Sequence, residues 1–229
     1  MNIIINGGTR GIGREIAQQF AKDNGNLVII TGRTSEALEE LSGKYENILP
    51  VRIDIAGFDK KPGNFLEKVR EYFDRVDILI NTAGLLIKKP FMDFAYEESR
   101  LIMETNFFGP AALIRTMKPF MKRGSHIVNI SSMGGFQGAS KYPGMSYYSA
   151  AKSAMANLTE CLAGEFADSG ISVNCLALGA VQTEMLEEAF PGYKAPVDAG
   201  SMAEFISYFA VNGHRFFNGK ILPVAVNNP

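Results

Sequence analysis

The 229-residue sequence predicts an α/β fold in which helices cover both faces of a doubly wound parallel β-sheet of about seven strands. Short apolar runs alternate with longer segments of helical pattern along the chain. Several of these runs are apolar throughout, which is typical of strands buried on both faces of a parallel sheet. Repeated alternation of strand and helix favours right-handed crossovers within one sheet.

The apolar runs give the predicted strands in order. They occupy residues 2–6, 26–31, 48–54, 76–83, 126–131, 171–178 and 220–226. Pro223 interrupts the last run, and we expect that strand at an edge of the sheet because proline cannot donate a ladder hydrogen bond. Since no linker, repeat or low-complexity tract divides the sequence, we expect a single domain over residues 1–229.

Helical patterns fill the intervals between the runs. The segment GREIAQQFAKD places four apolar residues on one helical face, namely Ile16, Ala17, Phe20 and Ala21. The segment SMAEFISYFA begins at Ser201 and carries Glu204 three residues later. This spacing predicts a capping box at the start of that helix.

Two further helical segments predict self-association. Residues 104–121 and 148–167 carry apolar or small side chains on more than one face, which is more than one domain can bury. These side chains are Phe107, Ala111, Ala112 and Ile114 on the first segment, and Ala150, Ala154, Met155 and Leu158 on the second. We therefore expect a homodimer or a homotetramer formed through these helices.

The composition of the sequence excludes several classes of partner and of functional site. The formal net charge is −1 and no run of Lys or Arg forms a basic stripe, so we expect neither nucleic acid nor an anionic membrane as a partner. With two His and two Cys, the chain has little from which to build a metal centre, and we expect none. Cys161 and Cys175 lie in apolar runs and are predicted as buried thiols in a reducing compartment.

The hydropathy pattern predicts where the protein resides. No apolar run approaches the roughly 20 residues of a membrane span. A strand-like segment follows Met1, where a leader would have a basic stretch and an apolar core. We therefore expect a soluble, cytoplasmic protein.

A glycine-rich turn follows the first predicted strand. In NGGTRGIGREI the glycines are spaced G-x3-G-x-G. Such a turn lets the backbone approach a pyrophosphate and begins a helix whose amide groups face the anion, as in Rossmann-like folds. A plain glycine turn between strand and helix is the alternative. The residues predicted to contact a dinucleotide here are Gly7, Thr9, Arg10, Gly11, Ile12 and Gly13.

The ends of the second and third predicted strands indicate which cofactor binds. An acidic residue after the second strand usually holds a free ribose 2′-hydroxyl, but Arg33 stands there and Arg10 can converge on the same place. Because two guanidinium groups suit a 2′-phosphate, NADP(H) is favoured over NAD(H). The alternative is that Arg33 is simply solvated. Asp54 is predicted to contact the adenine edge, unless it only caps a helix.

A phenol and an ammonium lie one helical turn apart in SYYSAAKSA. Tyr148 and Lys152 are i and i+4 neighbours, whereas Tyr147 has no such partner. A nearby ammonium and the positive ring of an oxidised nicotinamide both favour the phenolate, so Tyr148 is predicted to exchange a proton near neutral pH. The alternative is an ordinary helical contact. At the end of the fifth predicted strand, Ser132 is the candidate to hold a carbonyl oxygen, with Ser131 as the neighbour to exclude.

Taken together, these segments resemble the short-chain dehydrogenase/reductase family. NGGTRGIG resembles its cofactor loop, NTAG resembles its NNAG motif, and YSAAK matches its YxxxK. ETNFFGP resembles the helix that supplies a catalytic asparagine, and VNCLALGAVQTEM resembles the family's PG segment. The similarity runs in chain order from Asn2 to about Met185, with a weaker match through the final strand.

The resemblance implies a role for each site residue. Tyr148 would be the acid/base, and Lys152 would bond the nicotinamide ribose and lower the pKa of the phenol. Ser132 would orient the substrate oxygen, and Asn106 would hold a water in a proton relay behind Lys152. The other residues implied at the cofactor cleft are Asn81, Ala83, Gly84, Val181 and Thr183, of which the last two would contact the carboxamide.

The sequence departs from the family pattern in five places. Asn6 stands where the family often has Thr, Thr82 replaces the second Asn of NNAG, and Leu178 replaces the proline of PG. The segment 133–147 is slightly long, and residues 184–200 are short for a substrate lid. None of these departures removes a catalytic group, but the last two change the walls of the substrate pocket, so the family resemblance does not identify the substrate.

The leading hypothesis is an NADP(H)-dependent carbonyl reductase or alcohol dehydrogenase that acts on a small molecule. A 3-oxoacyl thioester reductase is one subclass, and small ketones, sugars or steroids are other substrates. A non-catalytic NADP(H)-binding regulatory protein is the alternative, although a sensor needs no proton relay. An epimerase or dehydratase on the same chemistry is expected to carry a longer C-terminal substrate region.

Overall fold

Nine strands, two of them very short, run through the computed structural model, which describes residues 1–62 and 64–226. In chain order they are β1 Asn2–Asn6, β2 Leu27–Gly32, β3 Ile48–Arg52, β4 Val76–Asn81, β5 Met121–Ser132, β6 Ser172–Leu178, β7 Val181–Gln182, β8 Val197–Asp198 and β9 Ile221–Val224. The short strands β7 and β8 pair with each other. The others form one seven-stranded sheet in the order β3-β2-β1-β4-β5-β6-β9.

The topology of the sheet confirms the predicted fold. Every neighbouring pair of strands is parallel. From β1 the chain first winds outward through β2 to β3, and then returns to β4 on the other side of β1. The strand order therefore reverses between β1 and β4, which is where doubly wound sheets bind ligands at the carboxyl ends of their strands.

Eight α-helices connect and cover these strands within the described residues. They are α1 Gly11–Ala21, α2 Ser35–Lys44, α3 Phe65–Tyr72, α4 Tyr96–Met103, α5 Gly109–Met117, α6 Ser146–Glu165, α7 Glu184–Ala189 and α8 Ala199–Asn212. A π-helical segment, Glu104–Phe108, joins α4 to α5. Helices α1, α2 and α8 pack on one face of the sheet, and α3 and α5 pack on the other.

Alternate side chains of β1 enter the two hydrophobic layers. Ile3 and Ile5 pack with α1, α2 and α8, whereas Ile4 packs with α3 and α5, and all three are fully buried. Burying one such side chain contributes about 1.5–3 kcal/mol. Because helices cover both faces of the sheet, the strands are apolar on both sides and do not alternate between apolar and polar residues. The apolar face predicted for α1 is confirmed, since Ile16 and Phe20 lie in the first layer.

The edge position predicted for the last strand is confirmed. β9 pairs with β6 alone, and Pro223 lies opposite Ala177. A proline at an edge costs the sheet little, because no further strand needs its missing N–H.

The fifth strand begins five residues earlier than predicted. β5 starts at Met121, and its register with β4 shifts between Val76 and Ile78. Gly124 takes a left-handed conformation in this stretch, with φ of 87°. Because the residues around Gly124 are polar, apolar runs in the sequence do not reveal this first part of the strand.

The start predicted for α8 is wrong. The helix begins at Ala199, and its N-cap is Asp198, whose carboxylate accepts the N–H of Ser201 at 2.8 Å. The Ser201 hydroxyl donates to the same carboxylate at 2.7 Å. Asp is as good an N-cap as Ser, and because its carboxylate binds the N–H of Ser201, the helix begins at Ala199.

The predicted association faces are only partly free. Ala112, Ile114 and Met155 are buried within the chain's own core, so they are not available to a partner. The other predicted side chains are less enclosed: Ala150 is exposed, and Phe107, Ala111, Ala154 and Leu158 are half-buried. The predicted burial of the thiols also needs correction, because Cys161 is exposed and only Cys175 is buried.

Among the described residues, no helix combines the length and the apolar character that crossing a bilayer requires.

Candidate active site

A cleft of about 1050 Å³ opens at the carboxyl ends of the central strands. It is lined by the turn after β1, by the ends of β2 and β3, and by the segments that follow β4, β5 and β6. All of the residues predicted for the site line this cleft except Asn81 and Asn106, which are buried behind its wall. Residues that are far apart in the sequence therefore meet at the cleft. Gly7 and Thr183, for example, are 176 positions apart and both line it.

The glycine turn is packed too tightly to admit side chains at two positions. Gly7 has φ of +90°, and a Cβ there would lie 2.6 Å from the backbone nitrogen of Ala83. A Cβ at Gly13 would collide with the carbonyl oxygen of Gly7. These glycines therefore hold the turn close to the end of β4, as a pyrophosphate-binding turn requires.

The first turn of α1 offers its amide groups to an anion. Its N-cap is Arg10, whose side chain makes no capping hydrogen bond, and no acidic residue lies in the first turn. The N-terminus of a helix carries a partial positive charge that favours phosphate groups. The residues present therefore fit the dinucleotide predicted from the glycine spacing.

Arginines gather at the end of β2. Arg10 and Arg33 both line the cleft, as predicted. Arg10 forms an exposed ion pair with Glu188 at 3.3 Å. The carbonyl oxygen of Arg33 accepts a hydrogen bond from Nε of Arg52 at 3.0 Å. Arg52 itself does not line the cleft, and its bond holds the backbone at Arg33.

Asp54 caps a short helical turn, which is the alternative that the sequence left open beside contact with the adenine edge. Its side chain accepts the N–H of Ala56 at 3.1 Å and so caps the 3-10 turn Ile55–Gly57. Asp54 also lines the cleft next to the end of β3. A cap at this point fixes the carboxylate at the wall, so the predicted contact with the adenine edge stays compatible with the structure.

Tyr148 and Lys152 lie on the buried face of α6. The Lys152 ammonium lies 5.8 Å from the centroid of the Tyr148 ring and donates a hydrogen bond to the carbonyl oxygen of Ile130 at 2.9 Å. Tyr147 points elsewhere, because its ring stacks on Phe91 with a centroid distance of 5.5 Å and it does not line the cleft. Of the two adjacent phenols, only Tyr148 faces the site.

Burial dominates the electrostatics of this pair. It raises the pKa of Tyr148 to about 12, although the nearby Ser132 hydroxyl acts in the opposite direction. Burial also lowers the pKa of Lys152 to about 8. In the chain alone, the loss of solvation therefore outweighs the hydrogen bond with Ser132. The lowering of this pKa by Lys152 together with an oxidised cofactor stays a prediction.

The two serines at the end of β5 have different partners. Ser131 is buried, and its hydroxyl donates to the carbonyl oxygen of Lys152 at 2.8 Å. Ser132 is only partly buried, accepts the N–H of Gly134 at 3.2 Å, and lies beside the Tyr148 phenol. The geometry therefore agrees with the choice of Ser132, since Ser131 is committed to holding α6 against β5.

Asn106 lies in the π-helical segment, an irregularity that often occurs at functional sites. Its Nδ2 group donates to the carbonyl oxygens of Leu85 at 2.8 Å and Ile102 at 2.9 Å. Its Oδ1 atom accepts the N–H of Leu85 at 3.2 Å. The side chain therefore fixes the segment that leaves β4 on its way into the cleft.

Asn106 and Lys152 converge on Gly84. A Cβ at Gly84 would lie 3.2 Å from Oδ1 of Asn106 and 3.7 Å from Nζ of Lys152. The two side chains are thus near one another although 46 positions separate them in the sequence. This proximity fits the relay that the family resemblance implies, and the relay itself stays a prediction.

A chain of buried amide and hydroxyl groups runs across the sheet below the cleft. Thr31 donates to Asn6 at 3.2 Å, Asn6 donates to Asn81 at 3.2 Å, and Asn81 donates to Asn129 at 2.9 Å. Asn129 in turn donates to Thr159 on α6 at 2.9 Å. Asn81 is therefore a structural member of this chain and does not line the cleft. Sequence reasoning missed Asn129 and Thr159, although an Asn near the end of three adjacent strands was the available signal.

Helix α7 crosses over the mouth of the cleft. Its N-cap is Thr183, whose hydroxyl accepts the N–H of Leu186 at 3.3 Å. A Cβ at Gly11 would lie 3.5 Å from the Glu184 carboxylate, so α7 begins over the glycine turn. It ends where the Lys88 ammonium lies 3.9 Å from the centroid of the Phe190 ring. The helix therefore covers the cleft from the glycine turn to the segment after β4.

The fold and the cleft define a Rossmann-like α/β protein in which a glycine turn and a Tyr-Lys helix face the same space. The family model described as short chain dehydrogenase matches residues 1–194. The chain therefore belongs to the short-chain dehydrogenase/reductase family, whose members are oxidoreductases that act on small molecules.

Three known proteins show the extent of the similarity. Dehydrogenase/reductase SDR family member 7B of Mus musculus is 34% identical over 196 residues, which is 80% of this chain and 58% of that protein. The NADP-dependent 3-hydroxy acid dehydrogenase of Schizosaccharomyces pombe is 31% identical over 204 residues, 86% of this chain and 77% of that protein. The crystal structure of a short chain dehydrogenase from Burkholderia cenocepacia in complex with NADP covers 97% of this chain and 95% of its own, with a TM-score of 0.85 and 24% identity. That last likeness bears on the fold alone.

Proposed function

We propose that this chain is an NADP(H)-dependent oxidoreductase that interconverts a carbonyl group and an alcohol, with Tyr148 as the acid/base. The observation that carries the proposal is that Tyr148, Lys152 and Ser132 line the same cleft as the glycine turn. The chain spans 58% of the length of the mouse relative, so the activity is proposed from this site and not transferred from that protein.

The site residues divide the work of a carbonyl reduction. When bound, the nicotinamide cofactor supplies the hydride that the carbonyl carbon receives. Ser132 and Tyr148 hold the carbonyl oxygen, and Tyr148 donates its proton to that oxygen as the hydride arrives. The phenolate that remains is stabilised by Lys152, whose ammonium lies on the same face of α6. The carbonyl compound thus gains one hydride and one proton and becomes the alcohol.

The protonation states of the chain suit the reductive direction. With its pKa raised to about 12, Tyr148 is protonated at neutral pH, which is the form that donates. Lys152, with its pKa lowered to about 8, is mostly an ammonium at pH 7 and a hydrogen-bond donor. A bound cofactor with an oxidised, positive ring lowers the pKa of the phenol, which favours the reverse reaction.

Preference for the 2′-phosphate form of the cofactor rests on Arg10 and Arg33. Both line the cleft, and the residue directly after β2 is Arg33, where a ribose-binding carboxylate would stand. The relative from Schizosaccharomyces pombe is NADP-dependent by its name, which supports the same choice. NAD(H) is the less favoured cofactor.

A non-catalytic NADP(H)-binding regulatory protein is the alternative function. It needs the glycine turn and the arginines, but not a buried Tyr-Lys pair beside a serine hydroxyl. We also propose a homodimer or a homotetramer, formed through the helical segments 104–121 and 148–167. The partners proposed for the site are a small carbonyl or alcohol, with 3-oxoacyl thioesters as one subclass.

Steady-state reduction of a panel of ketones and aldehydes tests this function. We expect consumption of NADPH, followed by its absorbance, with a higher kcat/KM than for NADH. Tight NADPH binding without reduction of any carbonyl compound would favour the regulatory alternative. A clear preference for NADH would contradict the assignment of Arg10 and Arg33.

A further inference from the structure

The two halves of the cleft differ in chemistry. On the side of β1, β2 and β3, the lining includes the charged side chains of Arg10, Arg33 and Asp54. On the other side, the segments after β4 and β5 supply Leu86, Met133 and Met145. In a doubly wound sheet the cofactor spans the crevice, so its reacting end and the substrate lie on this second side.

Helix α7 supplies the third wall of the substrate side. Met185 and Phe190 both line the cleft. A Cβ at Gly84 would lie 3.6 Å from Cε of Met185, which places this thioether beside the reacting groups. The substrate side is therefore enclosed by the apolar segments that follow β4 and β5, by Met185 of α7 and by Phe190 directly after this helix. Methionine side chains are flexible and polarizable, and they fit apolar ligands of varied shape.

Charge is nearly absent around Tyr148. Among the described residues that line the cleft, the charged side chains are Arg10, Arg33, Asp54, Lys152 and Glu184. The first three lie at the ends of β1 to β3, and Glu184 lies beside the glycine turn. The Lys152 ammonium is already bonded to a backbone carbonyl group at 2.9 Å. A carboxylate on the substrate near the carbonyl group would therefore be buried without a partner, which is unfavourable.

We infer that the substrate is an uncharged ketone or aldehyde with an extended apolar substituent, held by Leu86, Met133, Met145, Met185 and Phe190. The inference rests on the proposed function and adds the class of substrate to it. It separates this chain from relatives that act on hydroxy acids, since such substrates carry a carboxylate close to the reacting carbon.

Lys88 defines the rival outcome. Its ammonium lies over the outer face of Phe190, at the rim of the substrate side. If a carboxylate reached this rim, Lys88 would be its partner, and acidic substrates would be preferred. The geometry favours the apolar interior over this single rim cation, because Lys88 does not line the cleft.

Two substrate series separate these outcomes in the purified full chain with NADPH. In the first, kcat/KM is measured for 2-butanone, 2-hexanone and 2-octanone. We expect a rise of about threefold for each added methylene, as burial of CH₂ groups predicts. In the second, neutral 3-oxobutanamide is compared with 3-oxobutanoate, which has the same number of heavy atoms but carries one negative charge. We expect the amide to be preferred by about tenfold or more.

A matched pair of variants locates the effect. Met185→Gln keeps the length of the side chain but replaces its apolar end, so it should lower kcat/KM for 2-octanone by about tenfold and for 2-butanone by a smaller factor. Met92→Gln makes the same exchange at a side chain that is 86% exposed and outside the cleft. This control should leave both values unchanged.

The possible results bear on the two proposals separately. A flat chain-length series, or a preference for 3-oxobutanoate that Lys88→Ala abolishes, contradicts the apolar substrate class while leaving the proposed oxidoreductase intact. If NADPH binds but no ketone of either series is reduced, the proposed function itself is contradicted, and the inference falls with it.

Discussion

Arg33 is the residue on which the choice of cofactor depends most directly. It stands after β2, where a protein that binds a free ribose has a carboxylate. Arg33→Asp removes a partner of the 2′-phosphate and supplies an acceptor for the ribose hydroxyl. We expect the preference for NADPH over NADH to fall by about 10- to 100-fold, the range for a lost hydrogen bond between charged groups. Fluorescence titration with both cofactors measures this ratio.

The control for this substitution is Arg70→Asp, which makes the same charge change on an exposed residue of α3 outside the cleft. It should leave the cofactor ratio unchanged. A wild-type protein that already binds NADH more tightly than NADPH would show that Arg10 and Arg33 do not select the cofactor.

At the scale of single residues, the sequence predicts side chains whose chemistry is local. Tyr148 and Lys152 are one helical turn apart, and a pair at that spacing is recognisable without a structure. Asn129 and Thr159 were missed because their partners come from other strands and from α6; the recurring Asn near the strand ends hinted at them, but only the register of the sheet shows which groups meet. The effect of burial on the pKa of Tyr148 was not predicted, because burial cannot be read from the spacing of two residues.

Helix α8 shows how an element begins at a residue that the pattern did not indicate. Its N-cap is Asp198, whereas the capping box predicted from the sequence places the helix start at Ser201. We expect Asp198→Ala to lower the free energy of unfolding by about 1 kcal/mol, since an N-cap carboxylate is lost. Glu204→Ala should change it by less than about 0.5 kcal/mol, because this side chain is exposed and caps nothing. Urea unfolding measures both, and equal losses would restore the capping box.

Elements with a long apolar pattern were predictable, and short or polar ones were not. Helix α1 and the strands of the central sheet follow from periodicity. The first residues of β5, the two-residue strands β7 and β8, and helix α7 lack an apolar run of sufficient length. Their positions depend on contacts with the cleft and the neighbouring strand, which only the assembled fold supplies.

The molecule as a whole contains one buried histidine that links its stability to pH. His126 lies in β5, and its Nδ1 donates to the carbonyl oxygen of Ala210 at 2.9 Å. This fixes the tautomer, so Nε2 accepts from Asn174 at 3.0 Å. Burial lowers the pKa of His126 to about 4, and His214 acts in the same direction. Protonation would place a second N–H against the donor group of Asn174.

The sign of the resulting pH dependence follows from the two pKa values. The unfolded chain binds the proton below a pKa of about 6.5, and the folded chain binds it only near 4. Stability is therefore fully present above pH 6.5 and is lost as the pH falls towards 4. Between pH 7.5 and 5, wild-type protein should lose about 2 kcal/mol more than His126→Gln does. Urea titrations at both pH values measure this difference, and parallel losses in the two proteins would contradict it.

The architecture of the whole chain was predictable because the order of strands and helices restricts the topology to a doubly wound sheet. Association of copies stays a prediction, since part of the face expected to mediate it packs into the chain's own core. Light scattering at micromolar concentration measures it, and a monomer would contradict the proposed homodimer or homotetramer.

The measurement that tests the central claim most directly compares Tyr148→Phe with Tyr147→Phe on one carbonyl substrate. Both substitutions remove a hydroxyl group and keep the ring, but only Tyr148 lines the cleft, while Tyr147 stacks on Phe91. We expect Tyr148→Phe to lower kcat by about 10²- to 10⁴-fold, as for a lost general acid, with the affinity for NADPH nearly unchanged. Tyr147→Phe should keep activity within a few-fold. Equal losses in both variants, or a loss in Tyr147→Phe alone, would show that Tyr148 is not the proton donor.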